Sequence, residues 1–530
     1  MSAAANSQQI DQPLPRLVEE DAEAKTKQTS YRQILKSSAL IGGSQVLSIG
    51  IGVVRTKAMA LMLGPAGFGL FGLYGSILDL TQAVAGMGIS SSGVRQIAES
   101  VGSGDRQRIA RTAAVLRQTS VWLGLIAVAL IVLLSEQIST LTFGTSEHAA
   151  AVSLLSIAAF FRLVSAGQGA LLQGMRRISD LARMGVWGAL LGAGFSIPLV
   201  FFFREDGVVP SLIAVAAMMI ATSWWYARKV DLVIPKVSAS EILHESSELL
   251  KLGSAFMASG LLMMGSAYVV RIFITRKLGV DSTGLYQSAW TLGGLYLGFI
   301  LQAMGADFYP RLTAVANNNL ASNRLVNEQA RVGMLLGVPG VLGTLTFAPL
   351  VISLFYSAEF EAAVPVLRWI CLGAAVRVVS WPIGFIVIAK NRRALFFWTE
   401  LVWTLVHLGL AWVLVDKFGL PGAGMAFFGA YLVHALMMLV VGHRISQFRL
   451  TVENKQTAVL SLSVISLALL AFYALPGVWP FLLSIVAGLA TTAYMIYFLL
   501  PMIPADRLPA PVRRAIGALG LVVLNTEPNS

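Results

Sequence analysis

Residues 35–71 read LKSSALIGGSQVLSIGIGVVRTKAMALMLGPAGFGLF, and residues 250–286 read LKLGSAFMASGLLMMGSAYVVRIFITRKLGVDSTGLY. Both begin Leu-Lys, both reach Val-Val-Arg inside an apolar run, and both pass through Leu-Gly to Gly-Leu and an aromatic residue. Leu35 and Leu250 stand 215 residues apart, as do Gly69 and Gly284. Arg55 and Arg271, like Arg95 and Arg311, stand 216 apart, so one insertion separates the registers. About 20 apolar residues form a helix long enough to cross a bilayer. The chain is therefore a tandem repeat of membrane helices. Each copy carries an arginine where a charge costs roughly 2.5–3.5 kcal/mol even on lenient insertion scales.

The composition agrees. The 530 residues are 56% hydrophobic and 12% charged, with mean hydropathy +0.73. A soluble domain carries about a quarter charged residues. The net charge of +12 does not call for nucleic acid in such a chain. Positive loops fix topology and face anionic lipid. The lone Cys371 excludes an intrachain disulfide and reads as a small buried hydrophobe. Five scattered histidines give no metal-ligand spacing, and no cofactor is expected.

The reading is an all-α polytopic membrane protein with about fourteen spanning helices. They are expected near 38–63, 68–92, 112–134, 149–174, 181–203, 208–227, 252–278, 284–309, 332–356, 362–389, 394–415, 421–442, 456–475 and 480–503. With a cytoplasmic N-terminus, the inner connections and tails hold 28 Lys and Arg and the outer loops hold 4. The asymmetry predicts both termini inside. Six helices per repeat is an even number, so the repeats enter the membrane in the same sense, as parallel repeats related by an axis along the membrane normal. The expected divisions are a disordered cytoplasmic tail (1–33), an N-lobe (34–230), a cytoplasmic linker (231–250), a C-lobe (251–445), helices 13 and 14 (446–505) and a second cytoplasmic tail (506–530).

Seven cations remain within helices: Arg55, Lys57, Arg117, Arg162, Arg271, Arg368 and Arg377. Three acids join them: Asp79, Asp307 and Glu400. Arg117 and Asp307 lie near helix ends, where long side chains snorkel. The others must face protein or a water-filled cavity.

Four further stretches carry a family resemblance. KAMALMLGPAGFGLFGLYGSI, AGMGISSSGVRQIAE, WPIGFIVIAKNRRALFFWTEL and GLPGAGMAFFGAYLVHALMM resemble the bacterial O-antigen and lipid-linked oligosaccharide flippases. These form the polysaccharide branch of the multidrug/oligosaccharidyl-lipid/polysaccharide (MOP) exporter superfamily. The resemblance covers roughly residues 30–445. It implies two six-helix lobes in a V around a cation-lined cavity. It also implies passage of an undecaprenyl-pyrophosphate-linked glycan from the cytoplasmic to the periplasmic leaflet of the inner membrane. Coupling to H+ or Na+ and work alongside glycan polymerase machinery are further implications. The extra helix pair departs from the twelve-helix pattern and resembles the lipid II flippases.

A diphosphate in a low-dielectric passage needs cations that stay charged there, and Arg binds phosphate oxygens through two parallel hydrogen bonds. Arg55 and Arg271, at matched places, are expected to converge on it, with Lys57, Arg162, Arg377 and Arg368 as further candidates. Nine residues separate Arg368 from Arg377, which sets them on different helix faces. Asp79 and Glu400 are candidate ion-coupling groups. Asp79 is equally a partner for Arg55, and Glu400 shares a helix face with His407.

Rival readings follow from the same features. A multidrug exporter of this fold needs embedded acids for cationic drugs, whereas seven cations to three acids favours an anionic cargo. A membrane-embedded polysaccharide polymerase or ligase needs polar catalytic groups on a large outer loop, and no nucleophile–base constellation is visible. The topology makes a direct forecast. Cysteines placed at Glu147, Glu359 and Gly477 should react with an impermeant thiol reagent from outside, and a cysteine at Arg393 or Arg449 that reacts from outside would overturn it.

Overall fold

Leu-Gly recurs at Leu63-Gly64 and Leu278-Gly279, and both sites break a helix. In the computed structural model, which describes residues 16–102, 104–232 and 239–499, Gly64 takes φ 61° and ψ −174°. Pro65 disfavours helical geometry at the preceding residue, and glycine tolerates the positive φ. Pro65 then opens the next helical arm, where its missing N–H costs nothing. At the equivalent position Gly279 takes φ 88° and ψ 170° and caps the following helix.

The first repeat comprises α1 (Arg16–Ala85, broken at Gly64), α2 (Ile89–Gly102), α3 (Arg106–Leu133), α4 (Ser135–Phe143), α5 (Ala149–Gly174), α6 (Ile178–Phe203) and α7 (Val208–Ala227). The second comprises α8 (Ala239–Leu278), α9 (Val280–Ala314), α10 (Asn319–Thr346), α11 (Ala348–Phe355), α12 (Val364–Ala389), α13 (Arg393–Phe418) and α14 (Pro421–Ser446). Then come α15 (Val452–Ala474) and α16 (Trp479–Leu499). Side-chain caps start several of these helices, including Asp105 on the Gln107 and Arg108 amides and Asn318 on the Ala321 amide.

Among the described residues a helical segment stands at each of the fourteen expected positions. Nine helical stretches are long and apolar enough to cross a membrane, and α10 with α11, bent by 81°, makes a tenth. Two of the nine, 43 and 50 residues long, each contain a break, at Gly64 and at Arg204–Gly207.

The N-terminal segment differs from expectation. Residues 16–33 are helical and extend α1. Their EEDAEAKTK run is rich in strong helix formers, with Asp21–Lys25 and Glu23–Lys27 at the supporting four-residue spacing. Residues 1–15, the linker core 233–238 and the tail 506–530 lie outside the described residues.

The repeats meet through equivalent residues. A Cβ on Gly69 would drive into the Val280 carbonyl oxygen, and one on Gly284 into the Pro65 carbonyl oxygen. Gly72 packs on Gln287, its own counterpart 215 residues on. The pseudo-two-fold axis therefore passes between α1 and α9. Around this contact Phe68 meets Tyr356 at 5.4 Å and Phe360 at 5.7 Å, edge to face. Lys57 donates to the Leu354 carbonyl oxygen. At the opposite end of the helices, backbone again meets backbone: the Met87–Gly88 turn packs on Gly253. The Arg111–Glu245 ion pair and a 2.6 Å Thr119–Ser246 hydrogen bond lie beside it.

Helix α12 is the buried centre of the second repeat, packed by α14, α10 and α9, and Cys371 lies inside it as expected. The terminal pair α15–α16 lies against α10 and α12, with Leu467, Val486 and Leu489 exposed on its outer side.

The glycine contact is directly testable. Overpacking a tight site costs about 1–3 kcal/mol, a shift of roughly 5- to 150-fold between contacting and parted repeats. Gly284→Ala should therefore cut disulfide formation between cysteines replacing Phe68 and Phe360 in a Cys371→Ala background. An unchanged yield would refute the contact.

Candidate functional site: a charged cavity between the repeats

Asp79 stands on the second arm of α1 and Arg162 on α5, both from the first repeat. Arg162 Nη2 donates to Asp79 Oδ1 at 2.7 Å. The pair lies in the wall of a cavity of about 400 Å³ that also includes Gln82, Ser90 and Ser91, with Met257 and Met264 from α8 of the second repeat. The two side chains keep 26% and 47% of their exposure. A pair wetted to that degree is worth about 0–1 kcal/mol, well short of the roughly 3–5 kcal/mol lost on breaking a dry one. The pair is therefore weakly held for a charge contact inside a membrane protein.

Arg271 reaches the same neighbourhood from α8. Its Nε donates to Gln287 Oε1 at 2.8 Å and its Nη1 to the Ala267 carbonyl oxygen at 2.7 Å. It is 7% exposed and close enough to interact with the charge of Asp79. Asp79 is thus paired with an arginine of its own repeat and feels the charge of one from the other.

The expected convergence of Arg55 and Arg271 is not what the fold builds. Arg55 lies in the wall of a separate cavity of about 330 Å³ inside the first repeat, with Ser48, Ser165, Gly188 and Thr222. Its guanidinium is 6.0 Å from the Phe71 ring, and its buried Nε has no partner. The reason lies in the repeat. Arg271 is held by Gln287, but the residue equivalent to Gln287 is Gly72, which has no side chain to hold Arg55. Asp79 correspondingly pairs with Arg162 and not with Arg55.

The other candidates separate further. Lys57 is spent on the Leu354 carbonyl, a closing contact between repeats. Arg368 lies 3.5 Å over the Phe472 ring and donates to the Leu345 carbonyl oxygen at 3.3 Å, so it faces α15. Arg377 faces elsewhere, as the nine-residue spacing requires, into a cavity shared with Glu400. His407 stacks on Trp403 at 5.2 Å with its Nδ1 3.4 Å from Ser266 Oγ, while Glu400 lies in the field of Arg377. The side chain of Asp307 lies outside the described residues. The sequence reading passed over Gln287, Gln82, Ser90 and Ser91. Only the Gly72/Gln287 asymmetry between repeats carried a signal for any of them.

Two helical repeats joined about a pseudo-two-fold axis have counterparts among solved transporter folds. Over 87% of this chain and 98% of the other, the fold is similar to a lipid II flippase, MurJ, in an inward closed conformation, with a TM-score of 0.68 and 16% identity. It is also similar to an inward-facing multidrug resistance MATE family transporter of the MOP superfamily, with a TM-score of 0.60 and 19% identity over 76% and 98% of the chains. The chain belongs to the polysaccharide biosynthesis protein family, whose model matches residues 58–365. It is 21% identical over 412 residues to the lipid III flippase of Escherichia coli, covering 76% of this chain and 96% of the relative. A putative O-antigen transporter of Shigella flexneri is 24% identical over 250 residues, 46% of this chain and 58% of that one.

Because Arg368 packs on α15, Arg368→Met should lower stability by on the order of 1 kcal/mol, the worth of its ring contact, while transport persists. Loss of transport at normal membrane abundance would instead place Arg368 on the cargo path.

Proposed function

We propose that this protein is a flippase, not an enzyme, and that it turns an undecaprenyl-pyrophosphate-linked oligosaccharide across the inner membrane. The observation that carries the reading is the seam itself: the Asp79–Arg162 pair lies in the wall of a cavity between the repeats, and the buried Arg271 of the second repeat interacts with the charge of Asp79. A diphosphate entering this cavity displaces the carboxylate from Arg162 and gains charge-assisted hydrogen bonds. Backbone contacts at both ends of the helices favour rocking of one repeat on the other, the usual motion around a site between repeats. The flippase and O-antigen transporter names of the relatives support the same cargo class.

The proposal includes an N-lobe of α1–α7, a C-lobe of α8–α14, and fourteen spans with both termini cytoplasmic. The asymmetry of 28 inner to 4 outer cations supports that orientation. An H+ or Na+ gradient as the driving force and glycan polymerase machinery as a neighbour belong to the reading as well. A MATE-like drug exporter fits less well, because Asp79, the acid in the wall of this cavity, is already paired with Arg162 and feels the charge of Arg271.

Export of lipid-linked glycan and membrane abundance, measured together, test the site. Arg162→Ala and Arg271→Ala should abolish export with protein still present, and Arg271→Lys should keep part of it because charge survives while the planar fork is lost. A purely structural Asp79–Arg162 pair forecasts something else: loss of protein in each single variant and recovery in the double Asp79→Ala, Arg162→Ala. Recovery of full export in that double variant would overturn the proposal.

A further inference from the structure

The second repeat holds a cavity of about 330 Å³ that the diphosphate reading leaves without a role. It lies among α8, α9, α12, α13 and α14. Its volume is at the lower end of the ~300–1,000 Å³ range of small-molecule sites. Its wall is unusual for a membrane interior. Trp290, Trp403 and Tyr431 surround Arg377 and Glu400, with His434 bonded to Ser380 at 3.2 Å nearby.

The polar groups are not consumed by the fold. Among the described residues neither the Arg377 guanidinium nor the Glu400 carboxylate has a hydrogen-bond partner, and the Trp403 Nε1–H is buried without one. The buried indole N–H, left unpaired, costs about 1–3 kcal/mol, whereas Arg377 and Glu400 are only half-buried. Such a cluster persists where a ligand or solvent completes it. The three rings line the cavity, Trp403 with His407 stacked on it and Tyr431 with Arg377 5.7 Å from its ring, and aromatic rings attract polarised C–H groups through their negative quadrupole.

We propose that this cavity is a saccharide subsite, taking one sugar ring of the lipid-linked glycan. The inference rests on the flippase reading and names the part of the cargo that the seam does not hold. A pyranose ring has an apolar C–H face and an equatorial belt of hydroxyls that both donate and accept. The aromatic faces match the first. Arg377 as donor and Glu400 as acceptor match the second, through charge-assisted bonds. An ion-coupling role for Glu400 uses the carboxylate but does not call for tryptophan and tyrosine in the wall around it. The two cavities are neighbours: Met264 lines the one at the seam and Met263, the next residue on α8, lines this one. Both cavities thus border the same turn of α8.

The test uses full-length protein in phosphatidylglycerol nanodiscs and two kinds of probe. One is bare undecaprenyl diphosphate, and the other is the same lipid carrying a single galactose or N-acetylglucosamine. Wild type should bind a glycosylated lipid roughly tenfold tighter, the worth of about 1.4 kcal/mol. Trp403→Leu and Glu400→Gln should erase that preference while leaving affinity for the bare lipid unchanged. Trp403→Phe, which keeps a ring and loses the N–H, should retain most of it. Equal affinities in wild type, or an undiminished preference in both Trp403→Leu and Glu400→Gln, would overturn the subsite. So would an undiminished preference in Glu400→Gln together with transport that no longer responds to a pH gradient, which would make the cluster a coupling site. Failure of wild type to bind the bare lipid while it binds the glycosylated one counts against the diphosphate reading alone, and the subsite then stands or falls on whether Trp403→Leu and Glu400→Gln lower affinity for the glycosylated lipid.

Discussion

Two polypeptide backbones touch where Gly69 meets Gly284, and the rest of the architecture is arranged around that contact. No side chain larger than a hydrogen atom fits on either partner, because each faces a carbonyl oxygen of the opposite repeat. Membrane helices gain little from burying apolar groups against each other, since lipid is as apolar as leucine, so close approach of small residues carries more of the association. The same contact fixes the symmetry axis, brings Gln287 against Gly72, and sets Arg271 at the seam through its bond to Gln287. One glycine pair thus determines both how the repeats close and where an arginine is held.

Charge placement follows from what each site can satisfy. A guanidinium within the membrane persists only with partners or water, and the embedded cations meet that demand in different ways. Lys57 takes a carbonyl, Arg368 a ring and a carbonyl, Arg271 an amide and a carbonyl, and Arg162 a carboxylate. Only the last of these partners carries a charge that a substrate anion can replace. The distinction between a cation that builds the fold and one that serves the cargo therefore rests on the partner and its wetness. Depth in the membrane does not separate the two.

Much of the fold was legible in the sequence, and less of the site. The repeat, the helix positions and the breaks at Leu-Gly depend on periodicity and on Gly and Pro chemistry, which are local. The extension of α1 back to Arg16 was legible too, in its Glu, Ala and Lys content, but a polar tail suggests disorder when helix propensity is not weighed. The pairing of charges was hidden because it depends on helix rotation about the seam. Matched positions of Arg55 and Arg271 suggested convergence, yet duplication equates positions and not environments. A single difference, glycine at 72 against glutamine at 287, left one arginine held and the other with an unpartnered Nε.

That difference points to how a duplicated fold acquires a function. Two identical repeats around a two-fold axis would present the same groups to the seam from both sides, and an asymmetric cargo would find no preferred orientation. Here the first repeat brings an exchangeable carboxylate–guanidinium pair to the seam, and the second brings a held arginine. The second repeat also carries aromatic rings around Arg377 and Glu400, while the cavity around Arg55 is lined mainly by glycine, serine, threonine and aliphatic residues. A lipid-linked glycan is itself asymmetric, with a compact anionic end and a broad hydroxylated end. The divergence of the repeats matches that asymmetry: in the proposed flippase, the shared backbone would supply the motion and the side chains that break the symmetry the recognition.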